Sequence, residues 1–138
     1  MKRFVMHYSI LVFSIAVLAY LFDFLCGTHL QHLLLNVDFL IDYTKRTPSF
    51  AEEFFYHAIT TSIIYIVFLQ FAKTKLYTLA LIGFTVFSST ALYFILLAQA
   101  VRPIATTPMD VIGWLIIHVI FAMLLYRYTK PHSEKRLL

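Results

Sequence analysis

The sequence predicts an all-α integral membrane four-helix bundle, on three observations. Apolar residues make up 61% of its 138 positions and charged residues only 13%, against about 45–50% and about 25% in soluble domains. The apolar residues gather in four runs, at 4–25, 54–72, 76–101 and 109–126. Each approaches the roughly 20 residues that a helix needs to cross about 30 Å of hydrocarbon. The basic residues sit at the ends of those runs rather than in a patch, a distribution that orients a chain in a bilayer instead of gripping phosphates. A chain this short buries too small a fraction of its surface to hide so much apolar area from water. The expected organisation is a single transmembrane domain over residues 1–138, with the lipid bilayer as first partner and no nucleic acid.

The first helix is expected over about residues 4–25. Met1-Lys2-Arg3 before an apolar stretch also opens a signal peptide, but this stretch is too long for an h-region and no Ala-x-Ala site follows it. Asp23-Phe24-Leu25 before Cys26 is a poor match to a lipidation site. The expectation is therefore a retained span. A lone cysteine excludes an internal disulfide and any multi-cysteine metal motif.

The outer loop, 27–48, has a leucine-rich middle over residues 29–41, broken by His32, Asn36 and Asp38. It is too short and too polar to cross, so a short helix or turn lying in the outer interface is expected.

The second helix, about 50–72, starts at Ser49 with Glu52 three residues on. That pairing satisfies backbone N–H groups left open by the first turn and places an acid at the positive end of the helix dipole. Lys73 and Lys75 close it. The third helix, about 76–101, carries Thr78, Gly83, Thr85, Ser88, Ser89 and Thr90, small and hydroxyl residues that suit close helix packing. The fourth, about 108–127, repeats the cap signal in Thr107, Pro108 and Asp110, with proline where its missing N–H costs nothing. Arg127, Lys130 and Pro131 end it.

Counting Lys and Arg sets the orientation. With the N-terminus inside, Lys2, Arg3, Lys73, Lys75, Arg127, Lys130, Lys135 and Arg136 are cytoplasmic, and only Lys45, Arg46 and Arg102 lie outside. This bias predicts both termini inside. The acids Asp23, Asp38, Asp42, Glu52, Glu53 and Asp110 all fall on the outer side. The short lysine-rich loops suggest a bacterial cytoplasmic membrane.

Ionisable groups inside membrane helices are costly and invite a functional reading. His57, His118 and Asp23 qualify, whereas His7 lies close to the inner surface and His132 in the tail. Glu53, His57 and Thr61 recur every four residues on one helix face, which Tyr65 continues inward, and Asp110, Trp114 and His118 recur likewise. Counted from Ser49 and Thr107, the two histidines differ in depth by three residues, or about 4.5 Å. In an up-down-up-down bundle the second and fourth helices are diagonal and both can face the centre. The expectation is an outward-facing polar pocket of His57, His118, Glu53 and Asp110, with Asp23 as a further member. Those four are also the candidate metal ligands, since imidazole and carboxylate at i and i+4 share a face. No His-Glu-x-x-His motif specifies a metal. Haem held between the two histidines is a further alternative.

Each of these residues has a plainer use. Glu52 and Asp110 fit the role of capping acids, and membrane histidines commonly hydrogen-bond a neighbouring helix. Trp114 fits packing or an interfacial position. No Gly-x-Ser-x-Gly or phosphate-cradling loop marks a nucleophilic enzyme. The preferred reading is a non-enzymatic membrane protein handling a proton, cation or small ligand, as a homo-oligomer or within a membrane complex. Its alternatives are a structural or interaction protein whose histidines only pack and, behind that, a small membrane enzyme or redox protein. The identity of any cofactor is left open.

Overall fold

The computed structural model describes residues 2–37, 41, 45–100 and 104–129. Asp38, Asp42, Val101, Arg102, Lys130, Pro131, His132, Lys135 and Arg136, used above for topology and helix ends, lie outside the described residues. The chain forms α1 (Lys2–Cys26), α2 (Leu30–Leu34), α3 (Phe50–Phe71), α4 (Lys75–Gln99) and α5 (Pro108–Thr129). No strand occurs among the described residues. The four long helices are the four expected spans, each long and apolar enough to cross a membrane.

Local chemistry accounts for the helix boundaries. Gly27, with φ +65°, ends α1 by turning left-handed so that its N–H donates to the Asp23 carbonyl at 2.9 Å, a conformation that glycine adopts without penalty. Ser49 and Glu52 form the reciprocal capping box at the start of α3. A cap not anticipated from the sequence lies at Thr74. Its hydroxyl accepts from the Tyr77 N–H at 3.2 Å, so α4 starts directly after the tight turn that makes it antiparallel to α3.

Helix α5 is the axis of the bundle. It packs extensively along α1 on one side and α4 on the other, and 44% of its apolar window is buried, against 22% for α1 and 17% for both α3 and α4. Its inward row runs Asp110, Gly113, Trp114, Ile117, His118, Phe121, Ala122 and Leu125, the three-to-four spacing of one helix face. Leu11, Ile15 and Ala19 of α1 meet that row. Helix α3 is held more lightly, meeting α1 most and α4 and α5 each somewhat less. The bundle is therefore tight on one side and parted on the other.

The outward faces are strongly apolar: Phe24, Leu76, Phe84 and Phe87 are each 67–77% exposed. Contiguous apolar area of this kind is sustained by acyl chains rather than water.

The segment expected at the outer interface forms α2, and it is drawn into the bundle. Leu30 and Leu33 are fully buried in the core cluster. Gly113 makes the seat. A Cβ at that position would stand 2.7 Å from Leu30 Cδ1 and 2.8 Å from Phe22 Cδ1, closer than carbon atoms pack. Gly83, by contrast, has open space around it and is not a packing notch.

Candidate functional site

Where α3 parts from α4 and α5, the bundle encloses a cavity of about 680 Å³, within the usual size range of small-molecule sites, about 300–1,000 Å³. Ile64, Val67 and Phe68 of α3, Leu81 and Leu96 of α4, and Phe121 of α5 give it apolar walls. His57, Thr61, Thr85, Ser88, Ser89, Trp114 and His118 add a polar patch. Leu34, the last residue of α2, and Asn36 and Val37 just after it line the end of the cavity near α2. Its exposed rim residues lie on α3 and α4: Ile59, Thr60 and Ile63 on one side, Phe84 and Leu92 on the other. The mouth therefore faces the acyl chains between those helices.

Both histidines line this one cavity. His57 lies seven residues into α3, and its Nε2 is buried with no hydrogen-bond partner. Such a group forgoes its hydration without compensation. His118, 7% exposed, is held by its other nitrogen: Nδ1 donates to the Trp114 carbonyl one turn earlier at 2.8 Å. The Trp114 ring lies against it, with centroids 4.4 Å apart. The indole N–H donates across to the Ser89 carbonyl at 2.9 Å, tying α5 to α4.

The acids expected beside the histidines do not line this cavity. Asp110 is 1% exposed and does not line the cavity. Its carboxylate accepts from the Thr107 N–H at 2.6 Å, the Thr107 hydroxyl at 2.8 Å and the His29 N–H at 2.8 Å. Asp23 accepts from the Thr28 hydroxyl and the Leu30 N–H through one oxygen, both at 2.7 Å, and from the Gln31 N–H through the other at 2.8 Å. These two carboxylates hold the start of α2 against α1 and α5. Glu53 does not line the cavity either. Among the described residues no group of three or more His, Cys, Asp or Glu side chains stands ready to hold a metal ion. The set His57, His118, Glu53 and Asp110 is thus not gathered into one site. The reason is local: Asp110 lies at an end of its helix, where backbone N–H groups compete for it ahead of any ion.

The hydroxyl residues of α4 belong to a helix that packs closely on α5, as expected, and Thr85, Ser88 and Ser89 also border the cavity where α3 stands off. Their appearance in an apolar span was the available signal that this stretch borders something polar. The contribution of Asn36 and Val37 had no such signal.

His7 takes part in an arrangement of its own at the end of the bundle that carries the N-terminus. Its ring stacks on Tyr128 at 4.3 Å, and its Nδ1 lies 3.4 Å from the Tyr65 hydroxyl.

No family model matches the chain, and no curated protein or solved structure is similar to it.

Proposed function

We propose that this membrane protein binds an uncharged lipophilic molecule in the cavity between α3, α4 and α5, its polar head at His57 and His118. The observation that carries the reading is the buried, unpartnered Nε2 of His57 in a cavity that no charged side chain lines among the described residues. A histidine retained only to bind two helices together would have its nitrogens paired. A cation would want a carboxylate among its neighbours, but Asp23 and Asp110 are engaged in holding α2 and Glu53 does not line the cavity. A small neutral head on an apolar body suits both the patch and the walls. It would enter sideways from the bilayer.

Replacing His57 by leucine separates binding from packing. Because the replaced nitrogen has no partner, His57→Leu is expected to leave thermal unfolding in detergent unchanged or slightly raised. Solvent extraction followed by mass spectrometry should find a neutral lipid at about one per chain in the wild type and lose it in the variant. Identical lipid complements, or a marked loss of stability in the variant, would return His57 to a structural role.

A further inference from the structure

The protons around the cavity are distributed unevenly. A carbonyl oxygen can only accept, so the contact between His118 Nδ1 and the Trp114 carbonyl places the ring proton on Nδ1. In the neutral imidazole, Nε2 is then a lone-pair acceptor. The hydroxyls beside it are turned the same way. Thr85 donates to the Leu81 carbonyl at 2.8 Å, Ser88 to Thr85 at 3.2 Å and Ser89 to Val86 at 2.9 Å. Each is bonded back to its own helix, as hydroxyls in membrane helices commonly are, and offers the cavity only oxygen lone pairs. On the opposite wall Thr60 donates to the Tyr56 carbonyl at 3.1 Å. The indole proton of Trp114 is engaged with Ser89.

We infer that the ligand carries a hydroxyl: an uncharged lipid alcohol or phenol, which donates its proton to Nε2 of His118. The assignment rests on the binding role proposed above and narrows its chemical class. An ester, ether or ketone head can accept from the N–H of His57 but brings no proton for Nε2 of His118. A hydroxyl supplies the donor that Nε2 of His118 needs, and its oxygen can accept from the ring N–H of neutral His57 on the facing wall. That oxygen can also accept from Thr61, whose hydroxyl lines the same cavity and serves in either role. Ammonium, phosphate and carboxylate heads find no opposite charge on these walls, since among the described residues no Asp, Glu, Lys or Arg lines the cavity.

Trp114 is the only tryptophan in the chain and lines the cavity, so its fluorescence reports occupancy. With the full-length protein in nanodiscs, a dibrominated long-chain alcohol is titrated against its own methyl ether, bromine quenching indole on contact. The alcohol is expected to quench saturably at about tenfold lower concentration, the equivalent of one hydrogen bond. His118→Phe should abolish that advantage and leave the weaker quenching by the ether in place. Should that variant fail to assemble, the two ligands on the wild type decide alone. Equal quenching by both would overturn the hydroxyl assignment while leaving the cavity a lipid site. Absence of saturable quenching by either would overturn the binding role itself.

Discussion

Asp23 and Asp110 illustrate how a costly intramembrane residue can be structural. Each carboxylate accepts three hydrogen bonds, and four of the six donors are backbone N–H groups of the chain around α2 or of Thr107. Bonds to a charged acceptor contribute about 1.5–3 kcal/mol each, and a buried donor left without one loses its hydration uncompensated. With three such bonds lost, Asp110→Ala and Asp23→Ala should each lower stability by at least about 3 kcal/mol, measured by thermal unfolding in detergent. An unchanged transition in either would mean that water replaces the carboxylate. The capping role of Glu52, and of Asp110 toward Thr107, was legible in the sequence because a hydroxyl and an acid three apart are a local signal. The bond from the His29 N–H to Asp110 was not, because it spans most of the chain.

At the scale of elements, the question is why α2 is drawn in and α3 held off. Helix α2 docks because Gly113 leaves room for Leu30 and Phe22 and because two acids fix its first turn. Gly113→Ala should cost about 1–3 kcal/mol through overpacking. It should also raise hydrogen–deuterium exchange over residues 28–37 while leaving α4 protected, and uniform exchange across the chain would contradict the docking account. A glycine inside an apolar run gives no sign in sequence of which neighbour needs the space. Gly83, on α4, faces no neighbour at all. Helix α3 stands off because its inward residues are few, Thr61, Tyr65 and Phe68, and the gap beside them is the cavity.

For the whole molecule, the charge distribution predicts that the end carrying Gly27 and the loop after it faces outward. Cys26 is the only cysteine and is exposed at that end, so it reports topology directly. A membrane-impermeant maleimide should label it in intact cells, and labelling only after the membrane is opened would invert the assigned orientation. The same arrangement sets the cavity mouth among acyl chains instead of toward the aqueous phase, so a ligand's partitioning into the bilayer should govern its access.

Span number and the caps at Ser49 and Thr107 were legible in the sequence alone, because they depend on run length, on flanking charge and on pairs three residues apart; the cap at Thr74 was not. Which side chains meet was decided only by the tertiary structure. In water, a helix's polar face marks its outside; in lipid, both faces are apolar, and the sequence carries little contrast between neighbour and solvent. Hence His57 and His118 could be placed at similar depth from their positions in the chain. That they line one cavity without Glu53, Asp23 or Asp110 followed from the lateral packing of α3, α4 and α5 and from the backbone of α2 engaging two of those acids.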